Sequence, residues 1–249
     1  LLVASADCPI LKKLLPEAPC RVLTYGWSAD ADYRLFDYQA LDNGGRFEVV
    51  SLKGLSESLK VAAIGRYNGE NALAVAVLMQ EMGFSQTATA DGLETFKGVK
   101  RRQEIIGRYG ETIYISDFAH HPTAIRRTLE GLREHFKEYY LVAVFEPRTA
   151  TSRRNLFQKE LGEAFAAADE VLLAPVYGAA NLVAEEMLDT EQLAQAIGVH
   201  NQHPAQAFMQ QEDIYDNLKR RSGAKELVVL MSTGNFGGLY ERLSGENMA

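Results

Sequence analysis

A chain of 249 residues, 47% hydrophobic and 24% charged, carries enough apolar material for a sizeable core and is long enough for two α/β units. Its formal net charge of −7 argues against a nucleic-acid groove, which depends on Lys and Arg neutralising phosphates, but leaves room for a locally basic pocket holding a small anion. No apolar run approaches the ~20 residues of a membrane helix. No basic leader accompanies Leu1 to Ala6, and Cys8 and Cys20 lack zinc-type partners, so a reduced, cytoplasmic setting without membrane or nucleic-acid partners is expected. The start at Leu1 rather than Met leads to the expectation of further sequence upstream.

From Leu1 to about Phe96 the pattern is mixed. Val22 to Tyr25 closed by Gly26, Tyr33 to Tyr38, and Phe47 to Leu52 read as strands, the last two separated by the turn Asp42-Asn43-Gly44-Gly45. Asn71 to Met82 reads as a helix stopped by Gly83, and its lack of a polar face predicts burial. A second short helix is expected around Ser85 to Phe96.

After Lys97 strands and helices alternate. Ile113-Tyr114-Ile115, Leu141 to Phe145, Val171 to Ala174 and Leu227 to Met231 are short apolar runs, the pattern of parallel strands covered on both faces. Ile125, Leu129, Leu132 and Phe136 mark one amphipathic helix beginning near Pro122; Phe157, Leu161, Ala164 and Ala168 mark another. The expected fold is α/β: an open, mostly parallel, Rossmann-like sheet after a mixed α/β region. Right-handed crossovers then place the loops after every strand along one edge, where such sheets bind ligands.

That edge collects Ser116-Asp117-Phe118-Ala119-His120-His121, Glu146 to Thr151 with Ser152-Arg153-Arg154, Pro175, Tyr177 and Gly178, and Ser232 to Gly238. Arg148, Arg153 and Arg154, at a strand end and a helix start, oppose a helix dipole and call for an anionic partner, either a ligand or Glu146 or Asp117. One of Arg153 and Arg154 is expected to be a solvated surface residue. Asn68 and Asn71 cap a helix or read the edge of a purine base. The basic run Lys100-Arg101-Arg102 is a solvated hinge or offers a guanidinium to a phosphate. Glu146 and Asp117 are candidates for a hard cation such as Mg²⁺. Neither G-x-G-x-x-G nor G-x-x-x-x-G-K-[ST] occurs, so if the protein uses ATP its phosphate cradle is expected in sequence upstream of Leu1. A nicotinamide dehydrogenase or a non-catalytic binding module shares this fold, but the turn after Ile115 lacks the glycine-rich signature of the first.

Three stretches in this order and spacing carry a family resemblance: Gly65-x-x-Asn68-x-x-Asn71-Ala72-Leu73-Ala74, Phe96-x-Gly98-Val99-x-Arg101-Arg102, and Asp117-Phe118-Ala119-His120-His121-Pro122. Together they resemble the Mur ligases of bacterial cell-wall synthesis. Phe145-Glu146-Pro147-Arg148, Thr151, Arg153-Arg154 and Met231-Ser232-x-Gly234-x-Phe236-Gly237-Gly238 look like the branch that adds a murein tripeptide to UDP-N-acetylmuramate, rather than the one that adds L-alanine. The resemblance implies the later part of a central ATP-binding domain over 1–96 and a Rossmann-like C-terminal domain over 97–249. It implies ATP and Mg²⁺, an acyl-phosphate intermediate attacked by the incoming amine, and a role in murein recycling. It also implies roles for single residues: Asn68 and Asn71 at the adenine, Arg102 at the γ-phosphate, Asp117 at the ribose, and His120, Arg148 and Arg153 near the amino substrate. His121 is expected to be structural, and this stretch alone, without a P-loop, is expected to be inactive.

Overall fold

The computed structural model describes residues 1–51 and 56–244. The chain separates into two compact units, Leu1–Gly98 and Val99–Ala249.

In the first unit the elements are β1 (Leu2–Ser5), α1 (Pro9–Leu14), β2 (Val22–Gly26), β3 (Tyr33–Leu41), β4 (Gly44–Ser51), β5 (Ser56–Val61), α2 (Arg66–Glu81) and α3 (Gln86–Glu94). Among the described residues the five strands form one sheet in the order β1-β2-β3-β4-β5, parallel from β1 to β3 and antiparallel beyond. The expected end of the third strand, Leu52, lies outside the described residues. β3 runs past Tyr38 because a bulge at Asp37, whose φ is +55°, resets its register. The turn Asp42-Asn43 hands over to Gly44 at φ +126°, where a Cβ would lie 2.0 Å from the Val61 carbonyl oxygen, so only glycine fits.

α2 corrects two expectations. It begins at Arg66, with Gly65 at φ +97° before it, so Asn68 and Asn71 lie inside the helix instead of flanking its start. It is also not buried all round: Gly69, Ala72, Leu73 and Val77 face the core with Phe47, Val49 and Leu59, while Val75 and Leu78 are exposed. The buried positions repeat at helical spacing, so one face packs on the sheet even though the opposite face is apolar too. Ser85 caps α3 by accepting a hydrogen bond from the Ala88 amide.

In the second unit the elements are β6 (Glu104–Tyr109), β7 (Thr112–Asp117), α4 (Pro122–His135), β8 (Tyr140–Phe145), α5 (Gln158–Ala164), β9 (Glu170–Leu173), α6 (Thr190–Asn201), β10 (Ala205–Ala207), α7 (Gln211–Arg221), β11 (Glu226–Met231) and α8 (Leu239–Leu243). The sheet order is β10-β9-β8-β11-β7-β6, with every neighbouring pair parallel except β6 with β7. Both faces are covered. Val142, Val144, Val228 and Leu230 pack with Ile214 and Leu218 of α7 and Leu239 and Leu243 of α8. The alternate residues, including Phe145 against Phe165, point to the other side, where α4, α5 and α6 run side by side. All six residues of β11 are buried; each large apolar side chain so placed stabilises the fold by about 1.5–3 kcal/mol.

β8 and β7 are consecutive parallel strands in the chain, yet β11 lies between them. Chain order therefore runs outward through β8, β9 and β10 and then returns, which creates a crevice at the carboxyl ends beside β11. The register aligns Asp117, Met231, Phe145 and Leu173 in one row at that edge. Antiparallel β6 starts beside Ser116, so residues 99–103 reach the same edge.

Among the described residues no helix is long and apolar enough to cross a membrane.

Candidate functional site

The row of strand ends places Arg102, Asp117, His120, Arg148 and Arg153 on one edge of the second unit. Asn68 and Asn71 belong to the first unit. There, the Asn68 side-chain amide donates to the Ile64 carbonyl at 2.7 Å, and Asn71 reaches Asn68 Oδ1 at 3.5 Å. Neither is an N-cap, and Gly65 in that position receives no side-chain bond.

After β7 the chain turns sharply because Asp117, only 2% exposed, accepts hydrogen bonds from the Ala119 amide at 2.8 Å and the Gln103 amide at 2.9 Å. Burial pushes its carboxyl above the usual carboxylate range; those two amides, the Arg102 charge and Thr128 pull the other way. His121 then caps α4 through Nδ1, which accepts from the Thr123 amide at 3.3 Å, with Pro122 at the first helical position. This matches its expected structural role.

His120 Nδ1 lies 3.0 Å from the Phe118 carbonyl oxygen. A carbonyl only accepts, so Nδ1 carries a proton and donates it, which fixes the ring and leaves Nε2 as its other polar atom. The Phe118 ring meets His120 edge-on at 5.6 Å, and the Arg102 guanidinium sits 5.0 Å from the same ring. Phe118 is thus the common support for two of the expected site residues.

The loop after β8 is folded by Ser152, whose hydroxyl oxygen accepts from the Arg148 and Thr149 amides at 3.1 and 2.9 Å. Its arginines do not sit in the first turn of a helix, because α5 starts only at Gln158. That helix also ends before Ala168, where the Arg133 guanidinium binds the Ala167 carbonyl and the Asp169 carboxylate and draws the chain into a turn. Arg148 stacks on the Tyr177 ring at 3.7 Å, and its nearest carboxylate, Glu146, is 3.7 Å away. Arg153 donates to the Tyr177 carbonyl at 3.3 Å, so Tyr177 joins these two arginines. Arg154 is the solvated one, in an exposed pair with Glu186 at 3.4 Å.

Glu146 is completely buried. It accepts from Gln211 Nε2 at 2.7 Å and from the Ser232 hydroxyl, and Gly234 N donates back to Ser232 Oγ at 2.9 Å. Gly234 lies directly under Arg148: a Cβ there would fall 2.1 Å from Arg148 Nε. Arg101 donates to the carbonyls of Ser232, Thr233 and Gly234. Sequence reading placed Arg101 in a basic cluster and Tyr177 on the edge, but assigned neither a partner.

Asp117 and Glu146 do not fit a site for Mg²⁺. Both are buried with their oxygens turned to protein donors, and among the described residues no three His, Cys, Asp or Glu side chains gather as a metal site. Among the described residues the edge offers fixed positive charge with spare donors at Arg148, the imidazole of His120, and the Arg102 guanidinium over the same Phe118 ring. These suit an anionic substrate and a proton-carrying amine.

A UDP-N-acetylmuramate–L-alanine ligase of Lactococcus lactis subsp. lactis (strain IL1403) is 37% identical over 187 residues, 75% of this chain and 41% of that protein. A solved UDP-N-acetylmuramate-alanine ligase from Thermotoga maritima shares the fold, with TM-score 0.77 and 21% identity over 98% of this chain and 50% of that one. A solved murein peptide ligase from Psychrobacter arcticus 273-4 has TM-score 0.68 and 25% identity over 97% of this chain and 50% of that one. The chain spans about two fifths of the length of the curated relatives it matches, 39% and 41% in two cases. The family model for the Mur ligase middle domain matches residues 1–79, and that for the Mur ligase glutamate ligase domain matches residues 101–234. With the latter covering more than half of its length, the chain belongs to the Mur ligase family.

Proposed function

We propose that the protein carrying this chain is an ATP-dependent carbon–nitrogen ligase of peptidoglycan synthesis that joins L-alanine to UDP-N-acetylmuramate. The observation that carries this reading is the 37% identity, over three quarters of the chain, to a relative of that name. It replaces the tripeptide with L-alanine as the preferred amino component. In this assignment Leu1–Gly98 is the later part of the ATP-binding domain, with Asn68 and Asn71 toward the adenine, and Val99–Ala249 is the C-terminal domain.

When bound, ATP supplies the phosphoryl group that turns the muramyl carboxylate into an acyl donor. Arg102, held over Phe118, is the charge offered to the nucleotide phosphates. His120 Nε2 takes a proton from the incoming ammonium, because its Nδ1 proton is committed to the Phe118 carbonyl. Arg148 faces the oxyanion that develops as the amine attacks the activated carboxyl and that collapses to the amide as inorganic phosphate leaves; its stack on Tyr177 orients it before substrate arrives. Arg153, which donates to the Tyr177 carbonyl, adds positive charge from the same loop. Asp117 serves this site by holding the turn, with its carboxylate buried in backbone amides. Mg²⁺, expected with ATP, is held by groups other than Asp117 and Glu146.

A second reading, addition of a murein tripeptide, is favoured by the 25% identity to the murein peptide ligase. The test supplies the protein as encoded in full with ATP, UDP-N-acetylmuramate and either L-alanine or L-alanyl-γ-D-glutamyl-meso-diaminopimelate, and follows phosphate release and the product mass. Preferential L-alanine addition is expected. Preference for the tripeptide selects the second reading, and turnover of neither overturns the ligase assignment.

A further inference from the structure

We propose that Arg101 is a positioning residue that sets the orientation of Arg148 through the loop 232–234. Its kinetic arm rests on the ligase reading above; its structural arm does not.

Three consecutive carbonyls at the end of β11 point at one guanidinium. Arg101 donates to Ser232 O at 2.7 Å, Thr233 O at 3.3 Å and Gly234 O. The planar fork of arginine can serve several acceptors at once, which a lysine ammonium on a flexible stem does less well. The guanidinium also lies 5.1 Å from the Tyr240 ring and 5.6 Å from the Phe118 ring.

The held loop is the floor on which Arg148 rests. Gly234 leaves no room for a side chain beneath the Arg148 guanidinium, and Ser232 donates to Glu146, the carboxylate nearest Arg148. A shift of the loop by the width of a methyl group would therefore move both the surface under Arg148 and the charge beside it. Glu146 cannot compensate, since Gln211 anchors its other oxygen.

The backbone has been bent to make this contact. Arg101 and Gln103 both have left-handed φ, +62° and +50°, a conformation that disfavours non-glycine residues by about 1 kcal/mol or more each. The strain is offset by the Arg101 amide on Glu104 at 2.7 Å, the Gln103 amide on Asp117 at 2.9 Å, and the three carbonyl bonds. Arg102 lies between the two strained residues, so the same segment that grips the β11 loop aims Arg102 at Phe118.

The test compares Arg101→Met and Arg101→Lys with wild type. In NMR of this chain, the Arg148 side-chain signals should show the upfield ring-current shift of a group stacked on Tyr177. Arg101→Met should move them to the position of an exposed arginine while the thermal midpoint falls only a few degrees, and Arg101→Lys should lie between. In the protein as encoded in full, kcat for ligation should fall about 10- to 100-fold in Arg101→Met, the cost of a misplaced catalytic group. Arg101→Met combined with Arg148→Met should be no slower than Arg148→Met alone, because one residue acts through the other. Unchanged Arg148 signals, or effects that multiply in the double variant, overturn the proposal. If wild type ligates nothing, the functional reading falls, while the NMR arm still decides the role of Arg101.

Discussion

Arg148 and Arg221 stand at opposite ends of the same sheet, each over a tyrosine and beside a glutamate. Arg221 donates to both oxygens of Glu226 at 3.0 and 3.1 Å and to Glu170 at 2.7 Å, with Tyr140 5.9 Å away. These contacts hold its guanidinium well above the usual arginine range against the burial that opposes it, so the group is committed to the fold. Among the described residues Arg148 has one carboxylate, at 3.7 Å, and that carboxylate is already engaged by Gln211 and Ser232. Composition and burial do not separate the two arginines, since their side chains are 22% and 23% exposed. Unused hydrogen-bonding capacity separates them, and it lies at the carboxyl edge, where the strand order reverses.

Replacing each by methionine should therefore break different things. Arg148→Met should lower kcat in the protein as encoded in full by about 10²–10³-fold, the usual loss on removing one preorganised charge from an oxyanion site, with little change in thermal midpoint. Arg221→Met should leave two largely buried carboxylates without their shared cation and cost about 3 kcal/mol of stability, with kcat per folded molecule unchanged. Denaturant melts combined with steady-state kinetics separate the two. A stability loss at Arg148 equal to that at Arg221 would erase the distinction.

Gly234→Ala sharpens the comparison by moving Arg148 without removing its charge. The atoms nearest the new methyl all belong to the end of the Arg148 side chain, at 2.1 to 2.4 Å, and a flexible guanidinium can swing away. The expected result is a loss of about tenfold in kcat with stability within about 0.5 kcal/mol of wild type. A large drop in the unfolding midpoint would mean instead that the backbone gives way.

Asp117 is the buried charge of the site edge that behaves as Arg221 does at the other end, turned inward to the fold. Burial raises its pKa above 3.8 in the folded protein. Between 3.8 and that raised value the folded state binds more protons than the unfolded one, so this group's contribution is fully present below 3.8 and is lost as pH rises through the folded pKa. The difference in thermal midpoint between wild type and Asp117→Asn should therefore shrink or reverse as pH rises across that interval. A difference that grows with pH would show that the two amides outweigh burial.

Much of the second unit was readable because strands covered on both faces must be apolar throughout, as in Leu227 to Met231. β5 and β6 escaped because neither keeps a period of two: Ser56-Glu57-Ser58 is polar throughout, and in β6 the adjacent Ile105 and Ile106 run into a bulge at Gly107. The site loops were readable as a set, since parallel crossovers leave them one edge to occupy. Their wiring was not. Gln211 meets Glu146 across 65 residues and Arg101 meets Gly234 across 133, and no local spacing encodes such pairs. The left-handed turn that aims Arg101 is carried by residues with no glycine to announce it.

Arg154 supplies the third kind of arginine and the smallest expected effect. It pairs with Glu186 at 3.4 Å, and both side chains are about half exposed, 47% and 56%. Solvent screens such a pair, and ordering two long side chains offsets most of its attraction, so its net worth is about 0–0.5 kcal/mol. Its backbone is held independently, by the Arg154 amide on Thr151 O and by the bridge to Met187, and neither depends on the side chain. Arg154→Ala should accordingly leave both kcat and the unfolding midpoint close to wild type, at low salt as well as high. A drop in kcat comparable to that of Arg148→Met would place Arg154 at the substrate and show that exposure alone does not mark a guanidinium as idle.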